Sequence, residues 1–160
     1  MGLNNHERNL VSESIIKFAD GHDLNCIPND EIITQFNNLH AMCAAQVSHN
    51  KDGRSRDLSS LTSKALWCCF PYSIPIYDTF AERSLFVLTR LMQREPPVDG
   101  AKYERFTAMW FALYREVEEQ INRRLNEEYP YSVRVFDKIL WIIGQPDYGL
   151  IPYGAEGGGM

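Results

Sequence analysis

Apolar residues recur along this chain at helical spacing in six stretches. In residues 6–19, Leu10, Val11, Ser14, Ile15 and Phe18 fall on one side of a helix, and Asp20-Gly21-His22-Asp23 ends it. Asn29 or Asp30 caps a second helix, because a short oxygen-bearing side chain accepts from an orphan backbone N–H. Its apolar side holds Ile32, Ile33, Phe36, Leu39, His40, Cys43 and Val47, which carries it to residue 48. A third helix covers residues 58–70 and stops at Pro71, whose ring disfavours helix in the residue before it. Asp78 or Thr79 caps a fourth, expected to bury Phe80, Leu85, Leu88, Leu91 and Met92.

The breaker Arg94-Glu95-Pro96-Pro97-Val98-Asp99-Gly100 leads to a long fifth helix over residues 101–127. Its apolar stripe is Tyr103, Phe106, Met109, Trp110, Leu113, Val117, Ile121 and Leu125. Tyr129-Pro130-Tyr131 closes that helix, and Ser132 caps a sixth, rich in Val135, Phe136, Ile139, Leu140, Ile142 and Ile143, which Gly144 stops. The extended pieces are too short and too proline-rich to pair as strands, and no repeat is visible. The pattern predicts an all-α fold, an irregular bundle of about six helices. A single domain over residues 1–160 is expected, with a loose tail over 145–160 that ends in Gly157-Gly158-Gly159.

Composition narrows the function classes. The net charge of −5 argues against a uniformly basic nucleic-acid coat, although a local basic face remains open. No apolar run is long enough to span a bilayer, and residues 1–8 do not resemble a secretory signal, so no membrane partner is expected. Cys26, Cys43, Cys68 and Cys69 form no Cys-x-x-Cys pair, which points to free thiols in a reducing cytoplasm. With His6, His22, His40 and His49 they show no metal-ligand spacing, so neither a metal nor a cofactor is expected.

The candidate chemistry gathers between residues 57 and 85. Lys64 sits among Leu61, Ala65, Leu66, Trp67 and Cys68. One reading is an ordinary lysine, its stem on apolar surface and its amine in water. The other is a partly desolvated amine, which becomes a nucleophile because burial disfavours its charged form. Asp78 is a good helix cap, and equally a carboxylate at a helix N-terminus able to steady a developing cation. Trp67, Phe70, Tyr72 and Tyr77 cluster nearby, either as core or as platforms for a flipped base.

Ser59-Leu61-Ser63-Lys64-Ala65, followed by Ile74-Pro75-Ile76-Tyr77-Asp78-Thr79, resembles the active-site stretch of the helix-hairpin-helix DNA glycosylases, in particular their 8-oxoguanine glycosylase-like branch. Arg134-Val135-Phe136-Asp137-Lys138-Ile139-Leu140-Trp141 is similar to a late helix of that branch. The resemblance implies Lys64 as a Schiff-base nucleophile and Asp78 as the essential carboxylate, with Trp67, Tyr77 and Arg83 on the substrate. It also implies DNA as partner, met by the polar loop that carries Lys51, Arg54 and Arg56. The chain departs from the family in having Leu61-Thr62-Ser63 where the hairpin glycines stand, and in a shorter lysine-to-aspartate connection. Two functions follow as expectations. One is a DNA glycosylase with AP-lyase activity; the other is a non-catalytic, all-helical protein that binds a protein partner.

Overall fold

The computed structural model describes residues 3–23, 26–48, 53, 55–125 and 129–148. These residues form six α-helices: α1 (Asn5–Asp20), α2 (Ile32–Ala44), α3 (Ser59–Cys69), α4 (Thr79–Leu91), α5 (Lys102–Asn122) and α6 (Ser132–Gly144). A 3-10 turn, Pro146–Tyr148, follows, and no strand occurs among the described residues. The fold is all-α. The chain divides into two compact units, Met1–Ile74 and Pro75–Met160.

In the first unit α1 packs on α2 and α2 on α3. Asn4 and Glu7 start α1 with a reciprocal cap: the Asn4 side chain accepts from the Glu7 N–H, and Glu7 Oε2 accepts from the Asn4 N–H, both at 2.9 Å. Gly21 closes the helix at φ −88°, in the right-handed region, so its conformational freedom is not what ends α1. His22 does that work instead. Its Nδ1–H donates to the Phe18 carbonyl at 2.7 Å, Nε2 lies 3.1 Å from the Gln35 side-chain amide of α2, and its ring stacks on Phe18.

Helix α2 lacks the expected side-chain cap. Asn29 and Asp30 instead form a turn before it, in which the Glu31 N–H donates to the Pro28 carbonyl at 3.0 Å. It also stops at Ala44, short of residue 48, because Ser48 is drawn to Glu7. Helix α3 opens on Asp57, whose carboxylate accepts from the Ser59 N–H at 2.9 Å. Val11, Phe18, Ile32, Phe36, Leu39, Cys43, Leu66 and Phe70 form the core of this unit.

In the second unit α4 lies chiefly along α6, and α5 packs on both. Trp110 stacks on Tyr114 with ring centroids 4.6 Å apart, and Phe136 of α6 meets Trp110 edge-on at 5.0 Å. Leu91 and Met92 are not buried as expected but stand 72 % and 43 % exposed. The Met92 N–H ends α4 on the Leu88 carbonyl, and Gln93 then takes φ 56°, in the left-handed region, so the helix goes no further. Helix α5 ends at Asn122, five residues short of the expected end. Ser132 is the first residue of α6 rather than its cap, and its hydroxyl accepts from the Tyr114 hydroxyl at 2.6 Å. The expected tail beyond residue 148 lies outside the described residues.

Gly144 is the last residue of α6, and its role is contact rather than termination. A Cβ built on it would stand 2.0 Å from the Phe80 carbonyl oxygen of α4 and 2.7 Å from Ser84 Oγ. The Ser84 hydroxyl lies 2.6 Å from the Leu140 carbonyl oxygen and 3.1 Å from that of Phe80, so one proton serves two helices at the crossing. Alanine in a helix is ordinarily favoured over glycine by about 1 kcal/mol. Gly144→Ala should nevertheless destabilise the chain by about 1–3 kcal/mol, because backbone must move to admit the methyl. Gly21→Ala is the control, since its added Cβ meets nothing nearer than 3.6 Å. Urea melts of both variants check the sign.

Candidate functional site

Lys64 and Asp78 belong to different units, Lys64 to the first and Asp78 to the second. Lys64 is exposed on α3, while the neighbouring Thr62 and Ser63 turn inward and are fully buried. This is the arrangement of a lysine whose amine is in water. Asp78 has extended backbone (φ −146°, ψ 145°), and its carboxylate accepts from the Phe80 N–H at 2.9 Å, so it is the N-cap of α4.

Of the aromatics and cations expected on a substrate, Tyr77 is buried at 2 % exposure in the core of the second unit. Its ring meets Phe106 edge-on at 5.2 Å, lies under the Lys102 ammonium at 4.7 Å, and its hydroxyl donates to Glu82 at 2.5 Å. Burial and the Glu82 bond push its phenol up to about 12. Trp67 on α3 and Arg83 on α4 are half-buried. Among the expected DNA-contacting cations, Arg56 is half-buried and pairs with Glu7 at 3.1 Å. Lys51 and Arg54 lie outside the described residues.

Two acidic residues to which the sequence reading gives no role, Glu7 and Asp137, are buried and hydrogen-bonded. Glu7, 3 % exposed, accepts from the Ser48 hydroxyl at 2.6 Å, the Ser48 N–H at 3.1 Å, the Asn4 N–H and Arg56. The Ser48 hydroxyl bond is the main reason its carboxyl is held down at about 2; the Asn4 and Ser48 amides and Arg56 act in the same sense, against burial. The signal was present in Asn4-x-x-Glu7, the spacing of a capping box.

Asp137, 2 % exposed, sits in α6 with Val133, Phe136, Leu140 and Gly144 on the buried side. Its Oδ1 accepts from Trp110 Nε1–H at 2.8 Å and its Oδ2 from the Ile76 N–H at 3.0 Å. Burial outweighs those bonds and the pull of Arg134, and raises the carboxyl to about 8. Here the signal was an aspartate at a register position of α6 otherwise held by core residues.

Among the described residues no group of three or more His, Cys, Asp or Glu stands together to hold a metal ion. The four cysteines are free thiols, with Cys43 and Cys69 buried and their thiols raised by that burial. No described helix is long and apolar enough to cross a membrane. A scan against protein-family models and searches of curated proteins and of solved structures found no match to this chain.

The depressed Glu7 carboxyl makes an acid-lability prediction. A group whose folded value lies below its unfolded one binds fewer protons when folded. Its contribution is therefore complete above the ordinary value of 4.5 and is lost as pH falls toward about 2. Glu7→Gln should be less stable than the parent at pH 6 and should flatten the decline between pH 4.5 and 2, as read by urea melts across that range. An unchanged acid limb would remove Glu7 from the account.

Proposed function

We propose that this chain is a non-catalytic helical interaction protein. The observation that carries the reading is the outward side of α6. That helix seals the core of its unit with Val133, Phe136 and Leu140, yet also holds Ile139, Trp141 and Ile142 at 39 %, 41 % and 38 % exposure. Lys138, also exposed, lies on the same side as Ile142. Apolar side chains on a solvent-facing helix are what a partner surface offers, here Ile139 and Ile142 beside Trp141, whose ring meets Phe80 of α4 edge-on. The partner best suited is another protein with an apolar strip flanked by acidic groups.

A second reading, the DNA glycosylase, draws support from Asp78 standing at a helix N-terminus, where the family resemblance puts the essential carboxylate. It needs an amine partly withdrawn from water, and Lys64 is exposed. It needs an aromatic open to a base, and Tyr77 is buried. It needs a basic rim, and Arg56 pairs with Glu7. These placements favour the interaction protein.

One pair of measurements separates the readings. Borohydride reduction in the presence of duplex DNA with an abasic site should give no covalent adduct. A photo-crosslinking residue at position 142 should join a discrete protein. Binding of that protein, once purified, should weaken at least tenfold in Ile139→Lys/Ile142→Lys with the helical circular dichroism unchanged. An adduct that disappears in Lys64→Gln would overturn the interaction reading and establish the lysine chemistry.

A further inference from the structure

Asp137 is the one acidic side chain buried in the second unit among the described residues, and it faces the segment with which that unit begins. Pro75, Ile76 and Tyr77 are themselves buried. In the backbone of this segment the Ile76 N–H donates to Asp137 Oδ2 at 3.0 Å, and the Pro75 carbonyl accepts from the Tyr103 hydroxyl at 2.8 Å. The other Asp137 oxygen is held by the Trp110 indole. One of these anchors thus ends on a carboxyl group, the other on a phenol that burial keeps protonated.

We propose that Asp137 is a pH-operated latch on Pro75–Tyr77: with its proton the carboxyl keeps the segment packed on α5 and α6, and on losing it the segment releases and water reaches the carboxylate. The inference is independent of the partner surface described above and concerns a different part of the unit.

The physical basis is a shortage of donors. An ionised carboxylate offers about four lone-pair positions, and this one is met by two N–H groups. Among the described residues, the charged and titratable groups that act on it are Arg134 of its own helix, which favours the anion, and Tyr103 of α5, whose phenol is raised by burial and by the Asp137 charge. The segment itself faces it with the Ile76 N–H, and α4 brings no charged group to it. A protonated carboxyl still accepts both N–H bonds, one on each oxygen, without the cost of a buried charge.

The sign follows from proton counting. Packed, the carboxyl titrates at about 8; released into water, it returns to the ordinary 3.8. The released form therefore binds fewer protons between these values, and the opening equilibrium rises about tenfold per pH unit until it levels near the upper one.

Amide hydrogen exchange on the full chain, followed residue by residue and divided by intrinsic exchange rates, tests the latch. The protection of the Ile76 amide should fall about fiftyfold from pH 6 to pH 8 and level off above that. At each pH it should also lie well below the protection of Leu113 in the middle of α5. Trp110→Phe removes one donor to the anion and should carry the levelling point to higher pH. Asp137→Asn has no proton to lose and should abolish the slope. Because Asn would set an NH2 against one of the two N–H donors, that variant can fail to fold. In that event the Nε1–H resonance of Trp110 in the unaltered protein takes its place and should shift with a midpoint near the levelling point. Ile76 protection that is flat with pH, a slope that survives in Asp137→Asn, or an indole resonance that does not titrate overturns the proposal. So does equal protection at Ile76 and Leu113, which would mean that the segment releases only when the whole unit unfolds.

Discussion

A carboxylate taken out of water must be given hydrogen-bond donors by the protein, and among the described residues each unit of this chain encloses one such group. Glu7 receives two backbone amides, a hydroxyl and a guanidinium, and stays ionised far into acid. Asp137 receives one indole and one amide, and its site favours the proton. Both side chains are nearly inaccessible, but burial is the largest influence on Asp137, whereas at Glu7 it is outweighed by the larger set of donors and a cation in direct contact. Each carboxylate also ties together parts of the chain far apart in sequence: Glu7 joins the start of α1 to Ser48 and Arg56, and Asp137 joins α6 to Trp110 and to Ile76.

These commitments bear on function. Reactive chemistry requires groups held in place yet open to a substrate, and here the groups held most firmly are enclosed. Asp78 is bonded to its own helix, and Arg56 to Glu7. Among the charged groups that the second unit offers to solvent, α6 also offers apolar ones, Ile139 and Ile142. The inner side of α6 already fills a core, and Trp141 meets Phe80 of α4 edge-on, so Ile139 and Ile142 are the outer residues that packing leaves over, and they carry more weight for function than Lys64 does.

Helical periodicity made the class and the six elements legible, because each stretch has enough apolar residues at helical spacing to mark one buried side. Asp78 as the start of α4 and Pro71 beyond the end of α3 were equally legible, since both act locally. What was not legible depended on partners distant in sequence. The early end of α2 goes with Ser48 being bonded to Glu7, and α4 ends where Gln93 takes a left-handed backbone, with Leu91 left exposed. Ile139 and Ile142 fit an apolar pattern as well as any core residue; only the position of α6 against its neighbours divides its apolar residues into inner and outer ones. Tyr77 shows the converse, an aromatic that fits a binding platform by type and lies in the core by placement. The division of the chain at Ile74 and Pro75 falls inside a stretch that reads, by its prolines alone, as a turn between two helices.

The close approach at Gly144 has a consequence for how α6 can move. A helix packed through interlocking side chains can slide along its neighbour by small rotamer changes. A helix that touches its neighbour backbone to backbone cannot, because the contact admits only a residue without a side chain. Sliding α6 by one residue, about 1.5 Å along its axis with a turn of about 100°, would bring Ile143 or Gln145 against the Phe80 carbonyl. The glycine therefore acts as an index mark. It fixes the rotation of α6, and with it the side of the helix on which Ile139, Trp141 and Ile142 are displayed.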